Sequence, residues 1–276
     1  MMGECSGRAP RAKVGVCEAG SDINQRCSED ESVLMKIHVL SDIHVEFEPY
    51  VPIATDADVV VLAGDIHTKN RGVAWANESF SCPVIQILGN HEFYGGHLER
   101  TPEKMKLTAA PHVYILENEV FVLGDVRFLC AVGWTDFTST GDVTAASSIA
   151  REWMNDFRMI RCESSYRRIR PDDLSTRNHV TRAWLAKELG KPFSGKTVVV
   201  THHSPIPEVI GDKHEGHLNA AYSNAWHDLL LQADVWVFGH THRAVDVMMG
   251  TCRVVSNPKG YPLEQTGFDP AKVIEL

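Results

Sequence analysis

Apolar residues in this chain come in short runs, and most runs stop abruptly at a cluster of Gly, Asp, Asn or His. The runs over 36–40, 58–63 and 83–88 are of strand length and rich in β-branched side chains, the pattern of strands buried on both faces. Segments of helical character over 71–80 and 96–107 follow the second and third. Strand alternating with helix implies parallel pairing. The rhythm changes at 113. Short strands over 113–116, 120–123 and 126–131, joined by Glu117-Asn118-Glu119 and Gly124-Asp125, predict an antiparallel meander. Residues 138–190 read as a mostly helical insertion capping the active edge of the sheet, with helices over 143–157 and 171–189. Pro171, Asp172 and Asp173 open the second helix and Gly190 closes it. Then come a strand over 196–201, a loop through 218, a helix over 219–231 and a strand over 234–238, with 253–256 and 271–275 closing the sheet. Residues 1–34 contain no aromatic residue and show neither period. They are expected to form a disordered leader to a domain spanning 35–276.

What the strands end in changes the picture. The clusters are Asp42-Ile43-His44, Gly64-Asp65, Gly89-Asn90-His91-Glu92, His202-His203 and Gly239-His240-Thr241-His242. Parallel sheets place ligands beyond the carboxyl ends of their strands. Five strands delivering Asp, Asn and His to one edge describe a metal centre built from Asp42, His44, Asp65, Asn90, His202, His240 and His242. Carboxylate with imidazole suits Zn, Mn, Fe or Co rather than Ca, which prefers oxygen alone. Seven ligands exceed one tetrahedral ion but suit two ions sharing a bridge. Two ions roughly 3.5–4 Å apart clamp a phosphate and acidify a shared water. Two divalent ions also bring more positive charge than Asp42 and Asp65 return, which favours phosphoester over amide hydrolysis.

The formal net charge of −9 disfavours long nucleic acid and a broad membrane-binding face as partners. Seven Cys without a C-x-x-C pair suit reduced thiols and a cytoplasmic setting. The sequence contains neither an apolar stretch of spanning length nor a signal-peptide core.

In this order, the strand-end motifs resemble the signature of the calcineurin-like metallophosphoesterases, which runs D-x-H, G-D, G-N-H-D/E, H and G-H-x-H. The resemblance extends from Met35 to about Tyr261. It implies an α/β fold, a four-layer α/β/β/α sandwich of two mixed sheets. It also implies that Asp42, His44, Asp65 and His242 hold one metal while Asp65, Asn90, His202 and His240 hold the other. His91 then acts as general acid or transition-state stabiliser and not as a ligand. Ser41 before Asp42, Val45 after His44, and the lack of an Asp-Arg pair after Asp65 depart from the protein phosphatase branch. They point to the small bacterial-type phosphohydrolases and a small phosphoester substrate. The rivals are a non-catalytic metal-bound interaction module of the same fold, and a nuclease.

Further candidates are weaker. His203 adjoins a ligand, and His217 and Asn219 lie in the 214–219 loop between ligand strands; each is a substrate contact or ordinary packing. Arg158 and Arg161 belong to a basic group with Arg167, Arg168 and Arg170, which reads either as a solvated face or as a phosphate clamp.

Overall fold

The computed structural model describes residues 34–211 and 216–276; the expected leader, Leu34 apart, and His214 and Glu215 of the loop lie outside the described residues. The chain forms β1 (Lys36–Leu40), β2 (Val59–Ala63), α1 (Arg71–Ser79), β3 (Val84–Ile87), α2 (Arg100–Thr108) and β4 (Val113–Ile115). Next come β5 (Glu119–Leu123), β6 (Val126–Ala131), α3 (Val143–Trp153), α4 (Asp156–Met159), β7 (Arg161–Cys162), β8 (Arg167–Arg168) and α5 (Pro171–Leu189). The last are β9 (Lys196–Thr201), α6 (His227–Leu230), β10 (Val235–Phe238), β11 (Val245–Met249), β12 (Cys252–Ser256) and β13 (Val273–Glu275).

One sheet has the order β13-β1-β2-β3-β4, with β1 to β4 parallel and β13 antiparallel at the edge. The other has the order β11-β12-β10-β9-β6-β5; its four inner strands are parallel and both edges are antiparallel. The two-residue alternation of strands separates the layers. Val59, Val61 and Ala63 join Ile37, Phe128, Val198 and Val237 between the sheets. Val60 and Leu62 point the other way, onto Val73 and Ala76 of α1 and Met105 of α2. On the far side, Val199, Trp236 and Phe238 pack against Leu185 of α5 and Leu229 of α6. Helix, sheet, sheet, helix is the observed layering, and the expected α/β/β/α sandwich of two mixed sheets is present.

Three local expectations need correction. The meander does not form: β4 pairs with β3 in the first sheet, and only β5 and β6 make an antiparallel hairpin, in the second. The 219–231 helix is broken into a 3-10 turn over Gly216–Ala221 and the short α6. Its centre is pulled into extended pairing, because the Ser204 N–H donates to the Tyr222 carbonyl, the Asn224 N–H donates to the Ser204 carbonyl, and the Asn224 side-chain amide donates to the Gly133 carbonyl. The insertion also contains the β7–β8 hairpin, and helix 143–157 ends at Trp153 before restarting as α4. The helix over 171–189 forms as expected; Pro171 is its first residue and the Asp173 carboxylate accepts the Arg170 N–H at 2.7 Å.

Glu117, just past β4, ties the sheets together by accepting the Val132 N–H at 2.7 Å. Burial pushes its carboxyl up to about 7 from an ordinary 4.5. A raised folded-state value means the folded protein holds the proton longer, so stability falls as pH rises from 4.5 to about 7 and is flat above. Glu117→Gln keeps the acceptor and removes the charge. Its melting temperature should exceed wild type at pH 8 and match it near pH 4, in thermal scans of the metal-free protein.

Candidate metal centre

The strand-end clusters converge where the carboxyl edges of β1, β2 and β3 meet those of β9 and β10. Asp42, His44 and His242 bring one donor atom each within 4.8 Å of one another, and Asp65, His202 and His240 do the same. His44 Nε2 lies 3.1 Å from His242 Nε2, and Asp42 Oδ1 lies 3.5 Å from His242 Nε2. Asp65 Oδ2 reaches both groups, at 3.9 Å from His44 Nε2 and 3.4 Å from His202 Nε2. Asn90 Oδ1 stands 3.1 Å from His202 Nε2.

The backbone is bent to make this possible. Asp42, His44, Asp65, His240 and His242 all have φ between 50° and 68°, the left-handed region. Asp and His tolerate that region better than most residues, and strain of this kind concentrates at functional sites. Gly89 and Gly239 admit the carboxylates. A Cβ on Gly89 would collide with Asp65 Oδ1, and one on Gly239 would lie 2.6 Å from Asp42 Oδ2.

The donor chemistry fits cations. His202 Nδ1 donates to the Ala63 carbonyl at 2.9 Å, which in the neutral ring leaves Nε2 a bare lone pair aimed at two oxygens, Asn90 Oδ1 and Asp65 Oδ2. His44 Nδ1 faces Glu46 Oε1 at 3.2 Å and His242 Nδ1 faces Glu264 Oε2 at 2.5 Å, so their Nε2 atoms also turn lone pairs on each other. Backing the far ring nitrogen with a carboxylate or carbonyl is the arrangement that orients metal-binding histidines. His240 Nε2 is buried with no hydrogen-bond partner. Lone pairs that confront each other, beside an orphaned imidazole nitrogen, are repulsive or costly unless a cation lies between them.

The metal-free electrostatics say the same. Burial would raise the Asp65 carboxyl, but His202 and His91 outweigh it and hold it well below the carboxylate range. Burial would lower His202, and the Asp65 carboxylate instead pulls it up to about 10. Burial, with His203 and His202 beside it, pushes His240 well below its usual value.

Comparison with known proteins agrees with this geometry. The family model for calcineurin-like phosphoesterases matches residues 35–244. The chain belongs to that family. A curated relative, the uncharacterized protein L509 of Acanthamoeba polyphaga mimivirus, is 21% identical over 211 residues, covering 70% of this chain and 73% of that protein. Among solved structures, the fold is similar to the phosphopantetheinyl hydrolase PptH of Mycobacterium tuberculosis. The TM-score is 0.63 at 17% identity, covering 83% of this chain and 91% of that one. It is also similar to a putative 5′-nucleotidase of Staphylococcus aureus, with TM-score 0.51 at 14% identity, covering 82% of this chain and 48% of that one.

In this calcineurin-like protein, all seven predicted ligand residues and His91 stand together at the cleft. Sequence reasoning missed the residues behind them. Asp156 of α4 takes the Asn90 amide at 2.9 Å and the Tyr94 hydroxyl at 2.7 Å, which turns Asn90 Oδ1 toward His202. Glu46 takes His91 Nδ1 at 2.8 Å as well as His44. Tyr261 places its hydroxyl 3.1 Å from His91 Nε2. Glu46 alone had a readable signal, lying two residues beyond a ligand in the same extended stretch. Glu92 is a structural acceptor: its carboxylate takes the N–H groups of Asp65, Ile66 and Gly89, all within 3.0 Å.

The weaker candidates fall elsewhere. His203 is buried behind His240, with ring centroids 4.3 Å apart, and packs on Trp134 at 5.1 Å. Its burial and the neighbouring His202 push it down to about 3. His217 meets Thr140 at 3.1 Å and Asn219 sits in the 3-10 turn; neither lines the metal cavity. Arg158 and Arg161 do not line it either. Arg158 borders a separate cavity with Arg151, Arg167, Arg168 and Arg170, and Arg161 is paired in the β7–β8 hairpin. Cys162, Glu163 and Asp173 also cluster, but the Arg167 guanidinium already occupies them, taking both Asp173 oxygens at 2.7 Å.

Proposed function

We propose that this protein hydrolyses a small phosphoester at a centre of two divalent transition-metal ions, of Mn, Fe, Zn or Co. The observation that carries the reading is Asp65 Oδ2, shared between two buried donor groups. Asp42, His44, Asp65 and His242 would hold one ion, and Asp65, Asn90, His202 and His240 the other. When bound, such ions neutralise the phosphate and make water nucleophilic at neutral pH.

The chain's own part is orientation and proton delivery. His91 follows Asn90 at the end of β3, and its N–H to Asp65 Oδ1 at 2.8 Å locks it beside the bridge. Glu46 holds Nδ1, leaving Nε2 turned inward, 4.0 Å from Asp65 Oδ2. Burial would lower His91, but the carboxylates of Asp65 and Glu46 outweigh it and raise it to about 9. The Glu46 carboxylate at Nδ1 favours a proton on this ring, at the place where a leaving oxygen needs one. The scaffold rival is disfavoured because both donor groups and His91 are intact. Free thiols at Cys82, Cys130, Cys162 and Cys252 suit the cytoplasm. Among the described residues no helix is long and apolar enough to cross a membrane.

Elemental analysis of protein purified without chelator should approach two transition-metal equivalents per chain. A panel of phosphomonoesters and phosphodiesters should then show turnover that chelation abolishes. Saturation at one equivalent with full activity refutes the two-ion reading.

A further inference from the structure

We infer that the part of the substrate leaving with the ester oxygen is an apolar, aromatic-sized group, seated on a ledge formed by Phe47, Met159 and Tyr261. The inference rests on the phosphoesterase reading above and names the substrate class of that site. The metal cavity, about 240 Å³, adjoins a second cavity of about 520 Å³: His91, Tyr94, Asn155 and Tyr261 border both. His91 therefore faces both, and the second cavity is the space beside it for a departing group.

The surface that cavity presents is mostly apolar. Phe47 is 56% exposed and Met159 is 41% exposed, beside a centre whose ligands are almost wholly buried. The rings are set for stacking. Phe47 and Tyr261 meet edge to face with centroids 5.2 Å apart, and Phe47 lies 6.3 Å from His91. Concave apolar surface next to a few convergent polar groups is how small-ligand sites are built.

Among the described residues, neither cavity is lined by Lys or Arg, while Asp65, Glu264 and Glu46 line one or the other. In the reaction the P–O bond to the apolar group breaks, water supplies the replacement oxygen on phosphorus, and the departing oxygen leaves as a phenol or alcohol with one added proton.

The test compares wild type with the Phe47→Ala/Met159→Ala double variant, both loaded with Mn²⁺. For 1-naphthyl phosphate the variant should lose roughly 10-fold or more in kcat/KM, and for methyl phosphate less than about 2-fold. Calorimetric binding of 1-naphthylphosphonate, which is not hydrolysed, should weaken by a similar factor. Equal losses for naphthyl and methyl esters overturn the ledge while leaving the phosphoesterase reading intact. If no ester is hydrolysed yet the phosphonate binds the variant about 10-fold more weakly, the ledge stands and the hydrolase reading falls.

Discussion

Asp65→Asn should strip the protein of its bridging charge and lower kcat/KM toward every phosphoester by roughly four orders of magnitude. Asparagine is the informative choice because it keeps the shape and tolerates the φ of 55° that Asp65 adopts. The neutral side chain cannot supply an anionic oxygen to both donor groups, which now share Oδ2. Metal content should drop below two equivalents while far-ultraviolet circular dichroism stays unchanged. The Glu92 carboxylate, which pins the Asp65, Ile66 and Gly89 amides, is untouched, so the loop keeps its course. Two equivalents and wild-type turnover in this variant would refute the bridge.

His91→Ala separates chemistry from metal binding. If His91 protonates the leaving oxygen, kcat should fall by roughly 10²- to 10⁴-fold with both metals retained. The deficit should shrink for nitrophenyl esters, whose leaving group departs without a proton. His240→Ala, by contrast, should lose a metal and activity toward every ester alike. A loss of metal in His91→Ala would make His91 a ligand, and wild-type turnover of a poor-leaving-group ester would end its assignment as the acid.

How much of this could be read from residues alone follows from the physics of each part. The ligands were legible because a short buried strand running straight into Asp, Asn or His is locally unusual, and the chain repeats the device at five strand ends, three of them through a Gly. Strand partnership was not legible. Val113–Ile115 is three residues of β4, and nothing in so short a run says whether it joins β3 across α2 or folds back on β5. The 219–231 helix failed because tertiary hydrogen bonds with Ser204, Gly133 and Asn178 hold the chain at Tyr222 and Asn224, overriding local preference. Asp156 and Tyr261 escaped notice because each reaches the site from far along the chain, 66 residues from Asn90 and 170 from His91. A single Asp or Tyr without a motif around it carries no such address.

The left-handed backbone at Asp42, His44, Asp65, His240 and His242 has a meaning in evolutionary time. A residue with a Cβ gives up roughly 1 kcal/mol or more to sit there, whereas glycine gives up little. Any descendant of this chain released from hydrolysis would be under steady pressure to relax at those five positions, toward glycine first and asparagine next. Five side chains held where the backbone resists them thus place part of the fold's conformational cost at residues that meet in the cleft.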